Sequence, residues 1–275
     1  GDVYKRQIYA EKPLRDYTKV IQYCDEVKAD GFDLVDDFSD LFGMNAAGTD
    51  AKMRNTKESI LEAQFTSGAG NWCTWMFGRD LVNWNNNFTW AKWVTPSRDL
   101  ISAFKQEGDE VRFKESIVYY DCNWSNYYPS DNYPFMYKCR SANSSIIKYR
   151  YADVLLLKAE ALIMQDTPDL EGAADIIDEV RDRAKLGALP TSVRSNKNVL
   201  LNALLKERRL ELAFEGQRWF DLVRLDKVEE VMNAVYSKDS GRKAQIYTFD
   251  KNSYRLPIPQ SVIDANDKIH QNPGY

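Results

Sequence analysis

Histidine is almost absent from this chain: His270, in the C-terminal tail, is the single one among 275 residues. A Ser-His-Asp triad therefore has only a tail residue to serve as its base. The HExxH, GxSxG, GxGxxG and P-loop spacings are missing as well. These absences disfavour the enzyme classes that depend on such motifs. A glycoside hydrolase needs only two carboxylates, so with 41 Asp and Glu it stays open as an alternative.

Cysteine is also sparse, with four residues and no CxxC pair. This spacing disfavours a zinc ribbon or a thioredoxin-type site, and we expect neither a metal nor a cofactor. Cys122 and Cys139 flank a loop rich in Tyr, Pro and Asn. Two interpretations are open for them, a disulfide in an oxidising compartment or two buried free thiols.

Long apolar runs and clusters of one charge are both missing. No run approaches the roughly 20 residues that a membrane span needs. The net charge is −4 with scattered Lys and Arg, which disfavours a nucleic-acid partner. The first residues, GDVYKRQ, contain neither a signal peptide nor a starting Met. We therefore expect a truncated chain rather than a complete cytosolic protein.

Helical periodicity is clear in two parts of the chain. Residues 12–29 form an amphipathic pattern that ends before Gly31, and DLVDDFSDLFG, residues 33–43, predicts a short helical or turn element. Residues 150–187 predict two helices joined by a short turn, with Thr167 before Pro168 at the second start and Gly187 at its end. Residues 198–236 predict more helix, broken at Gly216. In the tail, Ser261 is expected to cap a last short helix.

The middle of the chain, roughly 44–145, has little periodicity and is rich in Asn, Gly, Ser, Trp and Tyr. It predicts one helix capped by Ser97 and two short extended pieces, ESILEAQF and ESIVYY. Five of the seven Trp lie in NWCTWMFGRDLVNWNNNFTWAKW, residues 71–93, which we call the Trp-rich segment. Irregular chain of this length in a globular protein is often functional.

Three glutamates, Glu207, Glu211 and Glu215, follow one another at helical spacing and would repel each other if unpaired. Nearby arginines can compensate: Arg208, Arg209, Arg218 and Arg224. We interpret this cluster as interhelix salt bridges that fix helix packing. An acid–base site is the alternative.

Four stretches resemble the SusD/RagB family: DGFDLVDDFSDLF, RYADVLLLKAEAL, KERRLELAFEGQRWFDLVRL and the terminal YRLPIPQSVIDANDKIHQNPGY. The resemblance covers about residues 8–275, and its motifs are long, ordered and correctly spaced. It implies a mainly α-helical SusD-like fold, in which tetratricopeptide-like hairpins support an irregular, loop-rich ligand-binding region. The expected organisation is one domain, 1–275, with helical scaffold at 8–43, the ligand-binding region at 44–145, and scaffold plus tail at 146–275.

The resemblance also implies a setting. Family members are lipoproteins on the outer face of the outer membrane of Bacteroidetes-type bacteria. They bind oligosaccharides and deliver them to a SusC-like TonB-dependent transporter without catalysis. Peptide or glycoprotein-fragment cargo, as in the RagB branch, is the alternative. The lipoprotein signal, the lipidated Cys and the first helical hairpins of the family are absent here, and Cys24 lies inside a helix. The motif glutamates, arginines and Trp219 are implied to be structural.

The ligand site itself is argued from the residues, because it varies with the substrate. Sugars have apolar C–H faces, which flat rings cover, and hydroxyl rims, which amides bind. The alternative is that these rings fill the core beneath the loops. The candidate ligand-binding residues are Trp72, Trp75, Trp84, Asn85, Asn86, Trp90, Trp93, Trp124, Tyr127 and Tyr128.

Overall fold

The computed structural model describes residues 2–66, 70–71, 94–122, 128–238 and 248–275. It divides the chain into two compact units, residues 1–218 and 219–275. Helices dominate the described residues, and the few strands are short, which confirms the mainly α fold class.

The first unit contains nine helices and four strands within the described ranges. The helices are α1 (Asp2–Ile8), α2 (Tyr17–Ala29), α3 (Ser39–Phe42), α4 (Arg98–Glu107), α5 (Glu110–Ser116), α6 (Tyr151–Met164), α7 (Leu170–Arg183), α8 (Thr191–Arg194) and α9 (Lys197–Glu211). The strands are β1 (Ser59–Ala63), β2 (Ile117–Tyr120), β3 (Tyr133–Met136) and β4 (Ile146–Arg150).

Helices α6 and α7 form the predicted hairpin. The residues at their contact are small, and Ala159, Ala173 and Ala174 are fully buried, which lets the two backbones approach closely. Asp169 caps α7, because its side chain accepts a hydrogen bond from the Gly172 amide. The expected start at Thr167 is therefore wrong by two residues. The helix also ends at Arg183, before the expected cap at Gly187.

Helix α6 is buried on almost every side rather than along one apolar stripe. Helices α2, α7 and α9 all pack against it. Even Asp153 and Glu160 are buried. Helix α2 starts at Tyr17, with Asp16 as its cap, instead of at Lys12. Pro13 lies in a separate 3-10 turn, Lys12–Leu14, that precedes it.

The middle of the chain contains more regular structure than its sequence predicts. Ser97 caps α4 as expected, through a hydrogen bond from the Leu100 amide. Helix α5, capped by Asp109, was not predicted. The two expected extended pieces are strands: β1 pairs antiparallel with β4, and β2 pairs antiparallel with β3. A second apolar core lies here, built on Leu100, Phe104 and neighbouring rings.

The chain between α9 and α10 is bent by two residues with positive φ, Phe214 at 66° and Gly216 at 77°. The predicted break at Gly216 is confirmed. The second unit contains most of α10 (Arg218–Arg224), α11 (Val228–Lys238), a 3-10 turn (Lys251–Tyr254) and α12 (Gln260–Ala265).

In the second unit, half-buried Trp219 packs against Phe249, with ring centroids 6.4 Å apart. The expected cap at Ser261 is wrong, because Pro259 precedes α12 and no side chain caps it. Gln271 holds the tail by bonding both the amide and the carbonyl of Ile258, at 2.8 and 2.9 Å.

Candidate functional site

Nine of the ten candidate ligand residues lie outside the described part of the chain. They are Trp72, Trp75, Trp84, Asn85, Asn86, Trp90, Trp93, Trp124 and Tyr127. The tenth, Tyr128, packs in the interior of the first unit and is only 9% exposed. Its hydroxyl donates to the Pro96 carbonyl at 2.7 Å, and its ring meets Tyr133 edge-on at 5.6 Å. These contacts give Tyr128 a packing role; ligand binding by this set stays a prediction.

Both ends of the Trp-rich segment have defined surroundings. At its start, Asn71 is buried, and its side-chain amide donates to the carbonyl oxygens of Ser141, Ala142 and Ser144 at 2.8–3.2 Å. Just past its end, Thr95 shares a hydrogen bond with the Tyr133 hydroxyl at 3.2 Å. Asn71 and Thr95, on either side of residues 72–93, therefore both contact the stretch 133–144.

The same stretch lines a cavity of about 700 Å³ in the first unit. Its walls come from five parts of the chain, around residues 42, 61, 94, 136–149 and 214–217. Most of the lining side chains are apolar. They are Phe42, Leu61, Val94, Met136, Cys139, Ile146, Ile147, Tyr149 and Phe214, with the polar or small residues Lys138, Ser145, Lys148, Glu215, Gly216 and Gln217. Val94 follows the Trp-rich segment directly, so the cavity begins where that segment ends.

Lys138 and Glu215 form an ion pair in the wall of this cavity. The Lys138 ammonium donates to Glu215 Oε1 at 2.6 Å and to the Glu211 carbonyl at 2.8 Å. Burial lowers the pKa of Lys138 to about 8, although the nearby carboxylates favour its charged form. The hydrogen-bonding groups of both side chains are therefore already used in contacts with each other and with neighbouring residues.

This ion pair is the part of a larger, buried ion cluster that reaches the cavity. Its members are Glu58, Asp109, Arg112, Lys138, Arg150, Arg181, Arg183, Glu207, Glu211 and Glu215. Glu211 is at its centre, because its carboxylate bonds Arg112 at 2.9 Å, Arg150 at 2.6 Å and Arg183. The cluster connects β4, α5, α7 and α9 to Glu58, the residue before β1.

This geometry confirms a structural role for Glu207, Glu211 and Glu215, which we call the glutamate ladder, but the predicted arginine partners are wrong. Arg208 pairs with Asp153, Arg209 with Asp99, and Arg224 with Asp221. The Arg218 guanidinium donates to the Leu205 carbonyl. The arginines that bond these glutamates come from other elements, 26 to 99 residues away in sequence.

The electrostatics of the cluster agree with a packing role. Burial alone would raise the pKa of Glu211, but Arg183, Arg150 and Arg112 outweigh it and hold that pKa well below its ordinary value. Burial raises the pKa of Glu207 despite its arginine partners. A carboxylate locked among guanidinium groups, without access to solvent, is poorly placed to exchange protons with a substrate.

The described ranges of the chain contain no group of His, Cys, Asp and Glu that could hold a metal ion. No helix in the described part is long and apolar enough to span a membrane. Cys24, Cys122 and Cys139 are buried, and no disulfide joins Cys122 to Cys139, so these two cysteines do not pair with each other.

The cavity was not predicted from the sequence. Residues 214–217 belong to a motif that was assigned to the scaffold, and β4 was not predicted as a strand. The one signal in the sequence was Gly216, because glycine tolerates a positive φ and so indicated that the helix ends beside a bend.

Comparisons with known proteins agree on one family. A family model described as the SusD family matches residues 131–275, just over half of the chain. Two curated relatives come from Formosa agariphila. SusD-like protein P38 is 43% identical over 99 residues, which cover 34% of this chain and 19% of P38. SusD-like protein P2 is 36% identical over 143 residues, covering 50% of this chain and 27% of P2.

Solved structures share the fold across almost the whole chain. A SusD-like protein from Bacteroides fragilis has a TM-score of 0.71 at 22% identity, over 99% of this chain and 63% of that one. Surface glycan-binding protein A from Bacteroides thetaiotaomicron, in complex with laminarihexaose, has a TM-score of 0.67 at 20% identity, over 93% of this chain and 59% of that one. A laminarin-binding SusD-like protein has a TM-score of 0.62 at 24% identity, over 94% and 60%. The chain spans under two thirds of each of these solved chains, and less of the curated relatives.

Proposed function

Because the chain belongs to the SusD family, we propose that it binds oligosaccharides outside the cell and delivers them to a TonB-dependent transporter, without cleaving them. Two structural neighbours support the ligand class by their names: one is a laminarin-binding protein, and one is a glycan-binding protein in complex with laminarihexaose. Both share the fold of this chain at low sequence identity, so the glycan bound here is to be established for this chain itself.

The observation that carries the proposal is the composition of the Trp-rich segment together with the anchoring of its ends. Five Trp and five Asn lie within 23 residues of sequence. The segment starts at buried Asn71, and Val94, the residue that follows it in sequence, lines the cavity. We assign the glycan site to its rings, Trp72, Trp75, Trp84, Trp90 and Trp93, and to Asn85 and Asn86 as the amides for the hydroxyl rim. Trp124 and Tyr127 form a second group.

The number of rings fits the free energy that binding needs. A ring contact contributes on the order of 1 kcal/mol beyond burial. A millimolar site requires about −4 kcal/mol net, after the costs of association. Several rings in an arc are therefore needed, together with the apolar area that they bury. Tyr128 is left out of this arc because its hydroxyl and ring are both used in packing.

Isothermal titration of the purified chain against soluble oligosaccharides, including laminarihexaose, tests the proposal. We expect saturable binding of at least one glycan at micromolar to millimolar concentration. Chromatography of the same mixtures after prolonged incubation should return the oligosaccharide uncut. Product formation would establish a glycoside hydrolase instead, and a panel in which no glycan binds would contradict the proposed ligand class.

The proposal also covers the transporter partner and the location of the protein. We assign the chain to the outer face of the outer membrane, held there by a lipid anchor outside this sequence and seated on a SusC-like partner. Co-purification of the full-length protein with such a transporter from outer membranes is the expected result. Recovery of the protein alone, from membranes that contain the transporter, would contradict this part.

A further inference from the structure

The turn between β3 and β4 is held together by its own serines. The Ser144 amide donates to the Ser141 carbonyl at 3.0 Å, and the Ser141 amide donates to Ser144 Oγ at 3.1 Å. The Asn143 amide donates to Ser141 Oγ at 3.1 Å. Both serines are buried. We call residues 141–144 the serine turn. Its two hydroxyl groups accept hydrogen bonds within the turn, so its carbonyl oxygens are left to bond another part of the chain.

Asn71 is the residue that bonds these carbonyl oxygens. Its backbone amide donates to the Ala142 carbonyl at 2.8 Å, and its side-chain amide donates to the carbonyls of Ser141, Ala142 and Ser144. At the preceding residue, Gly70, an added Cβ would lie 3.1 Å from the Ala142 Cβ, so a side chain there needs Ala142 to move. Two consecutive residues therefore lie directly against the serine turn, at the point where the Trp-rich segment begins.

Arg54 connects the same turn to an earlier point of the chain. Its guanidinium donates to the Phe65 carbonyl at 2.6 Å, to the Asn143 carbonyl at 3.1 Å and to Ser145 Oγ at 2.8 Å. It also pairs with Asp50. A planar guanidinium carries five N–H donors in a fixed arrangement, so one arginine can bond all four groups, whereas a lysine ammonium is a single compact donor centre. The chain is thus held at two points shortly before the first Trp.

The other end of the Trp-rich segment is held on the same part of the fold. Thr95 Oγ1 lies 3.2 Å from the Tyr133 hydroxyl, and the Pro96 carbonyl accepts a hydrogen bond from the Tyr128 hydroxyl at 2.7 Å. Tyr133 belongs to β3, the strand that precedes the serine turn. Fixed ends reduce the conformational freedom of the chain between them, so less entropy has to be lost when a ligand orders its side chains.

We propose that Asn71 and Arg54 are positioning residues for the glycan site, because they fix the start of the Trp-rich segment and so place its first rings, Trp72 and Trp75, for contact with the sugar. Neither Asn71 nor Arg54 contacts the glycan. This inference rests on the proposed function, since it assigns a role within that same site. Loss of either anchor should weaken glycan binding while every ring and amide assigned to the sugar is still present.

Isothermal titration of two anchor variants tests the proposal. The probe is laminarihexaose, or the first oligosaccharide of the panel above that binds the parent. Asn71→Ala should weaken binding about tenfold, because it removes every side-chain hydrogen bond to the serine turn. Arg54→Lys keeps the charge but loses the fixed arrangement of donors, and it should weaken binding about threefold to tenfold. Arg54 is partly exposed, so this variant carries the same test at a position that folding tolerates more easily.

The second unit and helix α7 offer matched controls. Asn233 also bonds the backbone with its side chain, since it contacts both the amide and the carbonyl of Phe249 at 2.9 Å. Arg194 is a partly exposed arginine that pairs with several acids, among them Glu171. Asn233→Ala and Arg194→Lys should both stay within about twofold of the parental affinity. Circular dichroism should show parental helix content in all four variants.

A double-mutant cycle separates positioning from a general effect on the structure. In the Trp72→Ala/Trp75→Ala background the rings that Asn71 places are missing, so the effect of Asn71→Ala should fall from about tenfold to about threefold or less. Equal effects in both backgrounds would show that Asn71 acts independently of these rings and would overturn the proposal. Parental affinity in both Asn71→Ala and Arg54→Lys would overturn it as well. A parent that binds no oligosaccharide of the panel would instead contradict the proposed function, and this inference with it.

Discussion

Replacement of Glu211 by glutamine should lower the stability of the first unit more than the loss of an exposed ion pair would. The Glu211 side chain is fully buried and bonds three arginines, Arg112, Arg150 and Arg183. Within the described residues the buried ion cluster contains five acids, Glu58, Asp109, Glu207, Glu211 and Glu215, opposite five bases. Glu211→Gln keeps the shape and removes one negative charge, so the cluster retains an uncompensated buried cation.

Breaking a buried pair by removing one partner costs about 3–5 kcal/mol. Such a loss is a large share of the roughly 5–15 kcal/mol by which domains are stable. Urea unfolding followed by circular dichroism measures it, and thermal unfolding should show a fall in Tm of roughly 10 °C. Glycan affinity of the folded variant should stay unchanged, because Glu211 is fully buried and is not among the residues assigned to the glycan site.

Glu171→Gln is the matched control. Glu171 also pairs with an arginine, Arg194, but its side chain is 73% exposed. Exposed pairs contribute about 0–1 kcal/mol, so this variant should be close to the parent. If Glu211→Gln lost no more stability than Glu171→Gln, the interpretation that the glutamate ladder stabilises the packing of the helices would be wrong.

Three further outcomes are expected. Because burial lowers the pKa of Lys138 to about 8 from 10.5, the folded state loses this proton before the unfolded state does. Stability relative to Lys138→Met should therefore rise by up to about 3 kcal/mol from pH 8 to pH 10.5, as measured by urea unfolding; a difference independent of pH would refute this. Asp169→Ala should cost about 1 kcal/mol through loss of the α7 cap, whereas Thr167→Ala, at an exposed position before the helix, should cost less than about 0.5 kcal/mol. Ala174→Leu should cost about 1–3 kcal/mol by overpacking the α6–α7 contact, and a neutral effect would contradict that close approach.

The hairpin was predictable because its signals are local. Apolar residues at helical spacing, such as Leu155, Leu156 and Ala159, identify α6 without knowledge of its neighbours. That α6 is buried on nearly all sides was not predictable, since it depends on which helices pack there. The cap of α7 was not predictable either. Thr167 and Asp169 are both residue types that cap helices well, and the structure shows that Asp169 is the cap.

The role of the glutamate ladder was predictable, and its partners were not. Spacing places Glu207, Glu211 and Glu215 on one side of the chain, where they need cations. Arg112 and Arg150 reach them from positions 99 and 61 residues away, and no local pattern records such distances. The cavity was missed for the same reason, because its walls meet only after the chain has folded.

Titration of a Trp84→Ala/Trp90→Ala double variant against the glycan that the parent binds tests the central claim most directly. Trp219→Phe, in the second unit beside Phe249, is the control. Two stacks at about 1 kcal/mol each predict a loss of affinity of roughly tenfold to thirtyfold in the double variant, with its urea unfolding unchanged and the control equal to the parent. Parental affinity in the double variant would contradict the assignment of the glycan site to the Trp-rich segment.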